Sequence, residues 1–214
     1  MLEDIAAMAG ATAAETGRAA ISANVMAAMS RVPRPRFVSP PLAASAWDNR
    51  PLPIGEGQTI SQPFIVALMT DLLELRAGDS VLEFGTGSGY QAALLAELVA
   101  NVYTIEIVAP LGRKAAATLA ALGYRNINTR IGDGYAGWRE YAPYDAIMVT
   151  AAAPEVPAAL IEQLRPGGRL VIPVSGSAEV QALLLLHKQA DGRTLSRRVL
   201  PVRFVPLVRG APAK

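Results

Sequence analysis

A glycine-rich turn is the part of this sequence best suited to chemistry. Gly85-Thr86-Gly87-Ser88-Gly89 directly follows the apolar, acid-containing run Val81-Leu82-Glu83-Phe84, and an apolar segment at residues 91–98 comes next. Glycine allows a sharp turn and a close approach of a ligand to the main chain. The N-terminus of a following helix offers free backbone N–H groups. The pattern predicts a nucleotide-cofactor site; the alternative is a purely structural turn.

The glycine spacing distinguishes between classes of cofactor. A dinucleotide fingerprint requires G-x-G-x-x-G, whereas here the glycines are at 85, 87 and 89, and Tyr90 occupies the last fingerprint position. This spacing argues against a nicotinamide cofactor. It resembles the first motif of S-adenosylmethionine-dependent methyltransferases.

Further polar residues lie where later strands are predicted to end. Glu106 ends the strand at 101–107, roughly 20 residues past the first glycine, where an acid can accept ribose hydroxyls. Asp133 and Gly134 follow the strand Ile127–Ile131, so that Asp133 can accept an adenine amino hydrogen while Gly134 leaves room for a ring. Thr150 ends the strand at 146–150. The alternative for the two acids is an ordinary surface position.

Strands and helices alternate strictly from residue 80. The predicted strands are Ser80–Phe84, 101–107, Ile127–Ile131, 146–150 and 169–173, and the predicted helices are 91–98, 110–122 and 157–164, with a short turn at Arg139–Tyr141. This order predicts a parallel sheet covered on both faces. Segments 181–189 and 194–207 flank Asp191-Gly192, a hairpin signal. The expected fold is a doubly wound, mostly parallel seven-stranded α/β sheet with N-terminal helices and a C-terminal antiparallel hairpin.

The part before this alternation is less regular. Residues 5–29 are predicted to be helical, 32–41 contain four prolines and are predicted as extended or loop, and 47–63 as a long irregular loop, a kind that is often functional. A helix is predicted at 64–75. We divide the chain into an N-terminal appendage (1–63), which includes the loop expected to hold the group that accepts a methyl, and a methyltransferase-like domain (64–214). Together they are expected to form one compact unit. Early proteolysis is expected within the first ~25 residues or at 175–179.

Composition excludes several classes of site. The chain has no cysteine, a single histidine (His187) and a net charge of +2. Thiolate catalysis, disulfides and histidine clusters are therefore excluded, and no metal site is expected. No apolar run is long enough to cross a bilayer. We expect a soluble, cytoplasmic monomer with neither nucleic-acid nor membrane partners.

The absent residues also restrict the methyl acceptor. Thr150-Ala151-Ala152-Ala153-Pro154 does not match the Asn/Asp-Pro-Pro-aromatic stretch of nucleic-acid amino methyltransferases, and His187 is predicted to be a surface residue of the hairpin. A carboxylate acceptor needs no general base, because its pKa of ~4 leaves it ionised at neutral pH. It requires alignment and partial desolvation.

The loop Gly55-Glu56-Gly57-Gln58-Thr59-Ile60-Ser61-Gln62-Pro63 resembles that of protein-L-isoaspartate O-methyltransferases. The similarity extends over about residues 25–208 and includes Val32-Pro33-Arg34, Pro51-Leu52-Pro53-Ile54-Gly55, Pro166-Gly167-Gly168 and Arg203-Phe204-Val205-Pro206-Leu207. It implies methyl transfer from S-adenosylmethionine to the α-carboxyl group of L-isoaspartyl, and also D-aspartyl, residues in damaged proteins and peptides.

The resemblance also implies roles for individual residues. Ser61 matches the active-site serine, whose hydroxyl can donate to the acceptor carboxylate. Substrate contacts are implied for Ile54, Ser61, Pro206 and Leu207. Cofactor contacts are implied for Gln58, Thr59, Ile60, Glu83, Gly85, Thr86, Gly87, Ser88, Gly89, Glu106, Asp133, Gly134 and Thr150.

Alternative interpretations remain at this point. Ser61 can instead cap the helix that follows it, and Pro206 and Leu207 can simply pack at a sheet edge. The whole protein can instead methylate a small-molecule carboxylate, or bind the cofactor without turnover.

Overall fold

The sheet contains every strand predicted from residue 80 onward. This is a computed structural model, and it describes residues 1–175 and 180–208. The strands in chain order are β1 (Leu52–Gly55), β2 (Gln58–Ile60), β3 (Ser80–Phe84), β4 (Asn101–Glu106), β5 (Ile127–Ile131), β6 (Tyr144–Val149), β7 (Leu164–Val174), β8 (Gln181–Lys188) and β9 (Thr194–Val202).

The main sheet has seven strands in the order β5-β4-β3-β6-β7-β8-β9. The first five in this order are parallel, and β8 and β9 pair antiparallel, which confirms the predicted fold class. Strands β4 and β5 follow β3 on one side of it, and β6 then pairs with β3 on its other side. Ligands in open α/β sheets bind at such a reversal of strand order, outside the carboxyl ends of the strands.

The helices are α1 (Leu2–Ala11), α2 (Ala13–Thr16), α3 (Ala23–Arg31), α4 (Pro63–Leu72), α5 (Tyr90–Ala96), α6 (Ala109–Ala121) and α7 (Ala158–Gln163). Their bounds agree with the predicted helices to within a few residues. The prediction for α4 extends too far, to residue 75, because Glu74 adopts a positive φ of 51°. A non-glycine residue in this region does not continue a right-handed helix.

Two segments expected to be irregular contain regular structure. Arg34–Phe37 and Pro40–Ser45 are 3-10 helices, and β1 and β2 form an antiparallel hairpin within the expected loop. The hairpin turn uses Glu56 and Gly57, both at positive φ. These elements are short, and all except β2 contain proline, so no strand or helix periodicity marks them in the sequence.

Hydrophobic residues cover both faces of the sheet. One buried cluster joins the N-terminal helices, α4, α5 and one face of the sheet, and includes Ile5, Val25, Phe64, Leu94 and Val171. A second cluster covers the other face beneath α7. The proposed units 1–63 and 64–214 thus contribute to one core. Of the predicted protease-sensitive segment at 175–179, residues 176–179 lie outside the described residues.

Candidate active site

A cavity opens at the carboxyl ends of β3, β4 and β6, at the reversal of strand order. Most of the predicted site residues line it: Gln58, Thr59, Ile60, Ser61, Gly85, Thr86, Gly87, Ser88, Glu106, Thr150, Pro206 and Leu207. Five predicted residues do not: Ile54, Glu83, Gly89, Asp133 and Gly134. The structure therefore brings the glycine loop, the β2 segment, Glu106 and the C-terminal segment to one place.

Glu106 holds the glycine loop in position. It is buried at the end of β4, and its two carboxylate oxygens accept hydrogen bonds from the backbone N–H of Gly87 (2.7 Å) and of Val108 (2.8 Å). Each carboxylate oxygen retains a further lone pair. The carboxylate is thus fixed by the main chain on two sides while it lines the cavity.

Glu83 lies behind the cavity wall and is fully buried. The Thr104 hydroxyl donates to its Oε2 (2.6 Å) and lies 2.6 Å from the Thr86 hydroxyl, so a polar chain leads from Glu83 to the glycine loop. Glu83 Oε1 has no hydrogen-bond partner among the described residues. Burial raises the pKa of Glu83 to about 8, and the nearby Glu106 contributes in the same direction.

Asp133 and Gly134 differ from each other in their environment. Asp133 is exposed, and its Oδ1 accepts a hydrogen bond from the Tyr135 N–H (2.9 Å). Gly134 is buried against the Phe84 ring: a Cβ at this position would lie under 3.0 Å from three ring atoms. The space left by the missing side chain at Gly134 is therefore occupied by the Phe84 ring.

Ser61 stands between two cavities. It lines the first cavity and also a second one of about 530 Å³, formed by α1, the start of α4 and the C-terminal segment. Thr59 and Thr150 line both cavities as well. Among the described residues, none accepts from or donates to the Ser61 hydroxyl in a hydrogen bond, so this group is available to a ligand.

The interpretation of Ser61 as a helix cap is wrong. Helix α4 begins at Pro63 with Gln62 as its N-cap residue, and no side chain of that residue caps it. The Asn49 side chain instead reaches the helix from 15 residues away, and its Oδ1 accepts a hydrogen bond from the Phe64 N–H (3.0 Å).

Arg34 supports the Ser61 segment from below and was not singled out from the sequence. Its fully buried guanidinium donates to the carbonyl oxygens of Ser61 (2.7 Å) and Ala46 (2.8 Å). It also lies over the Tyr90 ring, 4.8 Å from the ring centroid. Burial lowers the pKa of Arg34, and Tyr90 opposes this shift. Only the Val-Pro-Arg resemblance pointed to this residue.

The C-terminal segment is tied to the end of β6. The Ala152 N–H donates to the Val205 carbonyl and the Leu207 N–H donates to the Ala152 carbonyl, each at 2.8 Å. These bonds place Pro206 and Leu207 against the first cavity. Ile54 is buried on β1 behind the cavity, near Gly87.

Several residues that line the first cavity escaped sequence reasoning. They are Val66, Met69, Phe84, Tyr90, Gln91, Ile107, Val108, Ala151, Val205 and Val208. Most are apolar and carry no chemical signal in the sequence. Gly89 lies below the cavity, where a Cβ would contact Ala115 and Leu119 at 3.3 Å.

Two further features of the described part of the chain concern metal ions and membranes, and a third concerns His187. No group of three His, Asp or Glu side chains there is arranged to hold a metal ion, and no helix of residues 1–175 or 180–208 is long and apolar enough to span a membrane. His187 lines neither cavity that contains Ser61, and its Nδ1 lies 3.0 Å from Gln189 Nε2.

The family follows from comparison with known proteins. A profile of the protein-L-isoaspartate(D-aspartate) O-methyltransferase family matches residues 12–211. The chain belongs to this family. A protein-L-isoaspartate O-methyltransferase 1 from Cupriavidus necator is 60% identical over 208 residues, which cover 97% of this chain and 80% of that protein. A Polaromonas relative named protein-L-isoaspartate O-methyltransferase 2 is 56% identical, with coverage of 97% and 98%.

Solved structures of family members have the same fold. A protein-L-isoaspartate O-methyltransferase superposes with a TM-score of 0.83 at 29% identity and covers 96% of this chain, which spans 65% of that protein. A Plasmodium falciparum protein described as a putative family member, in complex with S-adenosyl-L-homocysteine, gives a TM-score of 0.78 at 25% identity, with coverage of 88% and 92%. The family match begins at residue 12, earlier than the resemblance at about residue 25, so α2 and α3 fall within it.

Proposed function

We propose that this protein transfers a methyl group from S-adenosylmethionine to the α-carboxyl group of L-isoaspartyl and D-aspartyl residues in damaged proteins and peptides. The observation that carries the proposal is the position of Ser61, whose unpartnered hydroxyl lines both the cavity at the glycine loop and the adjoining cavity. A hydrogen-bond donor at this junction can position a methyl acceptor in the second cavity next to a cofactor bound in the first.

The residues of the first cavity fit the cofactor. Glu106 can accept ribose hydroxyls with its remaining lone pairs, and the loop from Gly85 to Ser88 allows close approach of a ligand to the backbone. Gln58, Thr59 and Ile60 form a further part of the wall. S-adenosylmethionine supplies an electrophilic methyl group when it is bound. Three further residues are proposed to contribute from outside the cavity lining: Glu83 from behind the wall, the exposed Asp133, and Gly134, which is buried beside Phe84.

The acceptor side requires positioning only. An α-carboxyl group is ionised at neutral pH, so no side chain must remove a proton from it. The Ser61 hydroxyl donates a hydrogen bond to one carboxylate oxygen and leaves the other free to attack. Arg34 fixes the Ser61 main chain, Pro206 and Leu207 line the first cavity, and Ile54 lies close to Gly87 of the glycine loop. The products are a methyl ester on the damaged residue and S-adenosylhomocysteine, the thioether left when the S–CH3 bond breaks.

The test is methyl-ester formation, measured as methanol release, on an isoaspartyl peptide and on its normal aspartyl twin. We expect turnover of the isoaspartyl peptide alone. Turnover of small carboxylates in preference to the peptide would establish the alternative acceptor class, and cofactor binding without turnover of either would indicate a binding module. A monomeric state and a cytoplasmic location remain predictions, and light scattering of the purified protein tests the first.

A further inference from the structure

The second cavity has a largely apolar lining. Its volume of about 530 Å³ is within the range of small-molecule sites. Ile65, Leu200 and Phe204 contribute apolar surface, and among the described residues that line it Arg203 is the only charged one. Because it shares Ser61 with the first cavity, the residues that flank a bound acceptor carboxylate must lie in or beside it.

Met8 brings the N-terminal helix α1 into this lining. Its Sδ lies 3.0 Å from Asn49 Nδ2 and 3.4 Å from Gln62 Nε2, and both amide groups donate toward the sulfur. Asn49 caps α4, and Gln62 directly follows Ser61. Helix α1 packs against α4. Met8 is therefore a fixed, half-buried apolar group adjacent to the Ser61 segment.

We propose that Met8 is a specificity-determining residue that selects isoaspartyl segments with an apolar side chain next to the damaged residue. This inference rests on the proposed function. An apolar flanking side chain loses contact with water against Met8 and the surrounding apolar surface, and the flexible thioether accommodates different apolar shapes. A flanking lysine would bring a second cation near Arg203 and gains no such burial.

The experiment compares isoaspartyl peptides that are identical except for leucine or glutamine beside the damaged residue, on each side in turn. For the wild-type enzyme we expect kcat/KM to favour leucine by about tenfold on one side, the scale of burying one apolar side chain. Met8→Ala should reduce this preference to about threefold or less through KM, with kcat nearly unchanged. Met8→Leu should retain it, since the volume is conserved.

Controls separate specificity from folding. Met26→Ala removes a half-buried methionine that packs on the core but lines neither cavity, and should keep the full preference. Met8→Gln keeps the side-chain length and should lose the preference even if Met8→Ala does not fold. Equal kcat/KM for leucine and glutamine peptides in the wild type, or an unchanged preference in a folded Met8→Ala or Met8→Gln enzyme, overturns the inference. Failure of the wild type to distinguish isoaspartyl from aspartyl peptides would instead overturn the proposed function.

Discussion

The guanidinium of Arg34 donates a 2.7 Å hydrogen bond to the main-chain carbonyl of Ser61, which is 27 residues away along the chain. The same guanidinium donates a hydrogen bond to the Ala46 carbonyl and lies over the ring of Tyr90, the first residue of the helix that follows the glycine loop. One buried cation thereby connects the Ser61 segment, which we propose holds the acceptor, to the helix behind the glycine loop.

Arg34→Lys should therefore lower both stability and kcat. Lysine cannot reproduce the planar fork that serves two carbonyl groups, and a buried carbonyl left without a donor costs about 1–3 kcal/mol. Thermal unfolding and steady-state kinetics on one isoaspartyl peptide measure the two effects. Arg36→Lys is the matched control, because Arg36 is exposed in the same 3-10 helix. Equal behaviour of the two variants would show that Arg34 has no positioning role.

Ser61→Ala should reduce kcat more than it weakens cofactor binding. In the proposed reaction the hydroxyl aligns an acceptor that is already ionised, and loss of one positioned donor can cost up to ~10²–10³ in rate, by analogy with an oxyanion donor. His187→Ala should leave the rate nearly unchanged, because His187 lines neither of the two cavities at Ser61. A large loss at His187 together with a fully active Ser61→Ala enzyme would mean that the acceptor binds elsewhere.

Glu106→Ala should weaken binding of S-adenosylmethionine and S-adenosylhomocysteine by about 1–3 kcal/mol, since the ribose hydroxyls and the N–H of Gly87 lose an acceptor. Calorimetry measures the affinities, and NAD should not bind. Asp133→Asn is expected to have a smaller effect, because Asp133 is exposed outside the cavity lining. Unchanged affinity in Glu106→Ala would show that Glu106 has only a structural role. Tight NAD binding would contradict the cofactor assignment.

Glu83 should make stability depend on pH. Its pKa rises from an ordinary value of 4.5 to about 8 in the folded protein, so the native state binds a proton more strongly than the unfolded state. The contribution to the free energy of unfolding is then fully present below pH 4.5 and is lost as the pH rises through about 8.

Glu83→Gln removes this dependence, because the amide does not titrate. Denaturant unfolding at several pH values should show the wild type losing stability relative to Glu83→Gln between pH 4.5 and 8. A constant difference between the two proteins over this range would show that Glu83 is ionised in the native state.

Gly134→Ala should destabilise the fold by about 1–3 kcal/mol, the usual cost of overpacking. The new Cβ meets the buried Phe84 ring, which cannot move freely within the core. Gly132→Ala is the control two residues away, where a Cβ meets nothing within 4 Å, and a change within about 0.5 kcal/mol is expected. Similar urea midpoints for the two variants would contradict the packing argument.

Local sequence patterns determined the strands, the helices of the alternating region and the position of the glycine loop. The spacing at 85, 87 and 89, and the acid that ends β4, are short-range features, and the chain order of strands and helices leaves few topologies. These features therefore predicted the parallel sheet and the edge at which the cavity lies.

Only the tertiary structure decided which side chains meet. Arg34 and Ser61 are 27 residues apart, and Met8 and Gln62 are 54 apart, so no periodicity relates the members of either pair. The same holds for Asn49, which took the capping role considered for Ser61, and for Gly134, which accommodates Phe84. Such contacts depend on how the N-terminal segment and the loops pack onto the sheet, and packing is a property of the whole core that no local pattern records.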